Sequence, residues 1–179
     1  MLEIVIPNSE LWDNKNKEFI NIQETSLTLE HSLISVSKWE SKWHKPFLSK
    51  EKKTEEEIID YIKFMTLTPK VDPNVYKALT QKSIDDIEKY IYDPMTATTI
   101  NNKNSPKSRK IVTSEVIYCW MIELNIPVEF QKWHLNRLMT LIQVCSLENQ
   151  PKKKMSKKEL CSRNSALNAA RRKQMNTKG

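Results

Sequence analysis

The chain has no glycine before its last residue, Gly179. Glycine enters left-handed backbone at no steric cost and lets a main chain approach a phosphate closely. A chain without it over positions 1–178 cannot form a P-loop, a dinucleotide-binding turn, a kinase phosphate loop or a G-x-S-x-G nucleophile elbow. Its turns must be made by Pro, Asn, Asp and Ser. At 179 residues the chain is long enough for one core plus an appendage and too short for two large domains.

Charge divides the chain. Residues 151–179 hold ten Lys or Arg and one Glu, a net of +9, while the whole chain is +7. The first 150 residues therefore carry 7 − 9 = −2. The basicity belongs to a C-terminal arm, which is the pattern of an interaction tail. The three cysteines, Cys119, Cys145 and Cys161, are far apart and form no C-x-x-C pair. That excludes a zinc site or disulfide framework and predicts buried, reduced thiols. No stretch reaches the roughly 18 apolar residues of a membrane span. The opening MLEIVIPNSE has no basic segment ahead of an apolar one, so no secretion signal is expected.

Leu2 to Ile6 alternates and stops at Pro7, which predicts a strand. Glu10–Asp13 and Lys17–Gln23 flank the polar turn Asn14–Lys15–Asn16 and predict a β-hairpin; Thr25–Leu29 is either a third strand or the approach to a helix. Leu29, Leu33, Val36, Trp39 or Glu40, Trp43 and Phe47 fall at helical spacing, predicting an amphipathic helix that ends near Pro46. Thr54 with Glu57 is a capping box ahead of Ile58, Ile59, Ile62 and Met65, predicting a helix over about 55–66. Asp72-Pro73 opens a short helix, and Ser83 is expected to cap the next, with Ile84, Ile87, Tyr90 and Ile91 inward up to Pro94. Met95–Ile100 and Ile111–Thr113 flank the polar loop 101–110 and suggest a protruding hairpin.

Thr113 or Ser114 caps SEVIYCWMIEL, apolar nearly all round and therefore expected at the centre. Pro127 is expected to begin a last core helix running to about 147, with Leu138, Leu141, Ile142 and Cys145 buried. Beyond Pro151, Ser156 and Glu159 make another capping box, and Ala166, Leu167, Ala169 and Ala170 favour helix. That arm has too little apolar material to fold alone and should become helical when a partner covers it. The fold class is mainly α with a small N-terminal β-hairpin, an α+β arrangement: a β segment over 1–28, a helical core over 29–150 and a basic arm over 151–179.

His31, His44 and His134 are the acid–base candidates, yet none has a second histidine at ligand spacing. The carboxylates Glu55, Glu56, Glu57, Asp60, Asp85, Asp86 and Glu88 lie at helix starts and on polar faces, where capping accounts for them. Trp39, Trp43, Trp120 and Trp133 are candidate stacking platforms, but Trp120 and Trp133 sit in apolar helices that favour core packing. Trp43 and Phe47, at the end of an aromatic-rich helix, form a candidate contact surface. No catalytic residue, metal or cofactor is expected. The partner-binding candidates are Trp43 and Phe47, with Lys152, Lys153, Lys154, Lys157, Lys158, Arg163, Arg171, Arg172 and Lys173 of the arm.

Four blocks carry a resemblance: LEHSLISVSKWESKWHKPF (29–47), YDPMTATTI (92–100), SEVIYCWMIELNIPVEFQKWHLNRLMTLIQVC (114–145), and KKMSKKE with ALNAARRK in the arm. They resemble proteins encoded in the structural-gene regions of tailed bacteriophages. The resemblance implies a non-catalytic protein of virion structure or assembly, near the tail or the head–tail connection. Its partners would be other phage structural proteins or further copies of itself. Its place would be the host cytoplasm during assembly, or the virion. Two alternatives stand beside it: a tail assembly chaperone that binds the tape-measure protein, and a nucleic-acid-binding regulator that uses the arm and the 103–110 loop.

Overall fold

A computed structural model describes residues 1–13, 17–100, 111–149 and 156–177. The chain forms two compact units, Met1–Leu147 and Glu148–Gly179. The strand segment belongs to the same unit as the core helices. The expected loop tip over 101–110 and Lys152, Lys153 and Lys154 lie outside the described residues.

The first unit opens with four strands, β1 (Leu2–Ile6), β2 (Ser9–Asp13), β3 (Glu18–Ile22) and β4 (Thr25–Leu29). β1 pairs with β4 and β2 with β3, both antiparallel. Ile6 faces Thr25 and Ser9 faces Ile22, so one register runs through both pairs. The four strands are thus one long hairpin interrupted midway. The interruption has a chemical cause: Pro7 has no N–H to give the ladder, and the Asn8 side-chain Oδ1 accepts from the Glu24 N–H. In the first half Ile4, Ile6, Leu27 and Leu29 point into the core, while Val5 is 57% exposed on the other face, the two-residue alternation of a half-buried strand. The free edge of β4 is closed by the chain after α2: the Leu67 N–H donates to the Thr28 carbonyl at 2.8 Å and the Glu30 N–H to the Met65 carbonyl at 2.9 Å.

Leu29 ends the hairpin and does not begin a helix. Ser32 then caps α1 (Leu33–Trp43), exchanging hydrogen bonds with Ser35. The helix stops at His44, whose left-handed backbone (φ 53°) turns the chain ahead of Pro46. The Thr54–Glu57 capping box starts α2 (Glu55–Met65) as expected. Asp72 and Pro73 open a 3-10 turn, Pro73–Ala78. The cap of α3 (Gln81–Tyr92) is Thr80, not Ser83; the Thr80 hydroxyl accepts from the Ser83 N–H at 3.2 Å. No strand occurs at 95–100 or 111–113 among the described residues, so the second hairpin is not formed there. α4 is Ser114–Glu123. Pro127 introduces only a 3-10 turn, Val128–Lys132, and α5 runs Leu135–Glu148.

The core centres on β4, α1 and α2, where Leu27, Leu29, Leu33, Val36, Trp39 and Met65 are at most 1% exposed. α4 is less central than its composition suggests. It buries Ile117 and Met121, but Ile122 is 77% exposed. The cysteines also depart from expectation: Cys119 and Cys161 are exposed and Cys145 is half-buried. The second unit holds α6 (Lys157–Met175), started by the Ser156–Glu159 capping box and ended by left-handed Asn176.

Candidate interaction surfaces

Each residue of α6 is exposed. Lys157, Lys158, Arg163, Arg171, Arg172 and Lys173 lie along its nineteen residues, with Glu159 the one carboxylate. An ordinary surface helix has an apolar stripe of about 100° facing a core. The large apolar side chains of α6 are Leu160, Leu167 and Met175, 43%, 47% and 75% exposed. Its ends, by contrast, are well satisfied: the Ser156 hydroxyl accepts from the Glu159 N–H at 3.2 Å, and the Glu159 carboxylate accepts from the Ser156 N–H at 2.9 Å. The Ser156 N–H, and then the Ser156 hydroxyl donating to the same carboxylate at 3.0 Å, hold the Glu159 carboxyl below its ordinary pKa.

The aromatic end of α1 is not a free surface. Phe47 is buried and packs on Trp39 and Tyr61, at ring-centroid distances of 5.1 and 4.1 Å. Trp43 is half-buried against the core. The reason lies in Glu40, which spacing alone left as an alternative to Trp39. Its carboxylate is buried and accepts from the Phe47 N–H at 2.8 Å and from the Ser114 N–H at 2.7 Å. One side chain thereby folds the 44–47 segment inward and caps α4, whose N-cap Thr113 makes no side-chain cap bond. Trp39 and Glu40 both point inward: the Trp39 Nε1–H donates to the Glu57 carbonyl at 2.9 Å.

The histidines separated in sequence meet in space. The His31 and His134 ring centroids are 5.0 Å apart. His31 Nδ1 pairs with the Tyr61 hydroxyl. His134 Nε2 donates to the Tyr90 carbonyl at 3.0 Å, and its Nδ1 accepts from the Asn136 N–H at 3.3 Å. Burial, with the neighbouring His134 adding to it, lowers the His31 pKa to about 3. Burial also lowers that of His134 against the pull of its Tyr90 hydrogen bond, and raises that of Tyr61. The pair is a neutral, hydrogen-bonded joint between the start of α1 and the start of α5, where the Leu135 N–H donates to the His31 carbonyl at 2.7 Å. An apolar cleft of about 390 Å³ opens beside it, lined by Phe47, Leu48, Ile58, Ile84, Ile87 and Ile91 among others. Among the described residues no group of three or more His, Cys, Asp or Glu could hold a metal ion.

None of the remaining tryptophans is fully buried. Trp133 is half-buried, stacked on Phe130 at 4.1 Å with the Arg137 guanidinium 4.1 Å over its ring. Trp120 is half-buried at the edge of the core. Trp12 and Phe19 are directly paired across β2 and β3, edge to face at 4.9 Å, and are 50% and 67% exposed. Helical spacing does not single them out. The polar stretch between the two strands is the nearest signal in the sequence, but read as a turn at 14–16 it would set 12 opposite 18, one residue off the register that pairs Trp12 with Phe19.

No family model, curated protein or solved structure matches this chain. No helix among the described residues is long and apolar enough to cross a membrane.

Proposed function

We propose that this chain is a non-catalytic structural or assembly protein of a tailed bacteriophage, whose folded body is the platform and whose C-terminal helix docks on a neighbouring subunit. The phage setting rests on the resemblance of the four sequence blocks. The docking role rests on one observation: α6 is a nineteen-residue cationic helix with no buried residue. An isolated helix of that length is marginal in water and takes most of its stability from whatever packs on it. Six cations on α6 (Lys157, Lys158, Arg163, Arg171, Arg172 and Lys173) suit an acidic protein surface, where complementary potentials set register and speed encounter.

Removing residues 151–179 tests the reading. The truncated protein keeps its fold, because its core lies within 1–147, and fails to join the assembly. Unimpaired particle assembly with the truncated protein would reject the proposal. Mass spectrometry of purified particles separates a resident subunit from a tail assembly chaperone that binds the tape-measure protein and leaves: stoichiometric presence rules out the transient role.

The poverty of α6 in apolar residues also favours a second reading, a nucleic-acid-binding regulator. Clustered Lys and Arg are sufficient for phosphate contact, and such binding weakens steeply with salt. Absence of binding to duplex or single-stranded DNA or RNA at low salt eliminates it.

A further inference from the structure

We propose that the exposed face of the β2–β3 hairpin is the seat for the basic α6 helix of a second copy of this chain. The inference rests on the docking role above and adds the partner and the surface.

The two ends of the chain are electrostatic complements. Residues 1–30 hold six carboxylates against two lysines, a net of −4, whereas 151–179 carry +9. β1 to β4 contain no Lys or Arg. Glu10 and Glu18 are both exposed, but Glu18 adjoins Phe19 in β3 and so points to the opposite face, at the end of the strand. Glu10 is two residues from Trp12 and so shares its face of the sheet, with Asn21 opposite. In the first half of the hairpin Glu3 and Val5 are also exposed. That face of the hairpin thus presents an aromatic pair beside the Glu10 carboxylate, on strands without a cation. Buried aromatic anchors ringed by polar groups are where binding energy concentrates in protein interfaces.

α6 offers the matching half. Leu160, Leu167 and Arg171 fall within about one-eighth of a turn of each other at 100° per residue, giving one face two aliphatic side chains and a guanidinium. Arginine over a tryptophan ring is a favourable cation–π contact, and this fold already uses it at Arg137 and Trp133. Aliphatic groups on the Trp12–Phe19 edge and a guanidinium group on Glu10 satisfy both halves. Because donor and acceptor surfaces differ, the contact is head-to-tail. Repetition then closes a ring or extends a filament, the geometry an assembly protein needs.

The test uses the full-length chain in sedimentation velocity at low and high salt. The wild-type chain self-associates, and added salt weakens it. Glu10→Lys, at an exposed position, weakens association about tenfold or more, as desolvated charge pairs at interfaces do. Arg171→Glu with Arg172→Glu does the same. Trp12→Ala with Phe19→Ala weakens association with less effect on its salt dependence. Combining the two charge reversals restores most of the loss while far-UV circular dichroism stays unchanged throughout. A wild-type chain that remains monomeric overturns the proposal. So does a hairpin reversal that leaves association intact, or a combined reversal that fails to recover it. If the arm reversal abolishes particle assembly and the hairpin reversal does not, the docking role stands and this seat is wrong. If neither affects assembly, both fail. A loss confined to nucleic-acid binding in the arm reversal assigns the arm to phosphate and likewise overturns the seat.

Discussion

Glu40 shows how much one side chain arranges in this fold. Its carboxylate holds the backbone N–H groups of Phe47 and Ser114 at 2.8 and 2.7 Å, all buried. Glu40→Ala leaves both donors unpaired away from water and costs about 2–6 kcal/mol, at about 1–3 for each orphaned group. Urea denaturation measures it, and a loss below about 0.5 kcal/mol, the range of ordinary surface substitutions, would show that the bonds are dispensable. His31 makes a pH prediction. Burial depresses its pKa to about 3 in the folded protein, while the unfolded value is about 6.5. Below about pH 6.5 the unfolded chain therefore binds a proton that the folded chain refuses. Stability from this site is complete above pH 6.5 and falls as pH drops toward 3, by at most about 1.4 kcal/mol per pH unit. The lowered His134 pKa acts in the same direction. The Glu57 carboxyl is held low by its hydrogen bond from Lys45 and then by the Thr54 N–H, and it adds a further loss below the ordinary carboxylate range. His31→Gln flattens the slope between pH 6.5 and 5; an unchanged slope would contradict a neutral His31.

Helices α1 and α6 begin at side-chain capping boxes and end at left-handed residues other than glycine, His44 and Asn176. The Thr54–Glu57 and Ser156–Glu159 boxes are local, need only four consecutive residues, and form as the sequence predicts. The turns do not follow the expected residue types. Among the described residues six other than glycine have positive φ: Lys17, His44, Lys70, Met95, Asn125 and Asn176. Only two are asparagine. The Cβ clash of left-handed backbone costs about 1–2 kcal/mol for an L-residue, and tertiary packing on either side holds it. Lys70 is exposed with φ 54°, so Lys70→Gly removes that clash and raises stability by about 0.5 kcal/mol or more, net of glycine's greater loss of chain entropy. Thermal unfolding reads the gain, and a lowered Tm would mean that the lysine stem packs more tightly than its exposure indicates. α4 fails its sequence reading for a related reason: an apolar helix is central only if neighbours cover each of its sides, and none of the described residues covers Ile122.

At the scale of the molecule, a folded body with a buried core and a separate charged helix divide stability from contact. Deleting 151–179 should leave the urea midpoint of the body within experimental error, since the core cluster holds no residue beyond Ile142; a large fall would mean that the arm stabilises the body. The sequence alone determined those properties that depend on near neighbours: the capping boxes, the alternating strands, the Pro7 interruption, the mainly helical class and the segregation of charge into the arm. These are set within a few residues, where spacing and side-chain chemistry act directly. The tertiary structure alone decided which of several helical faces turns inward. It moved Phe47 into the core through Glu40, brought His31 to His134 across about a hundred residues, and set Trp12 and Phe19 outward as a pair. Those outcomes depend on contacts between segments far apart in the chain, and a one-dimensional pattern holds no record of which distant backbone N–H a buried carboxylate will meet.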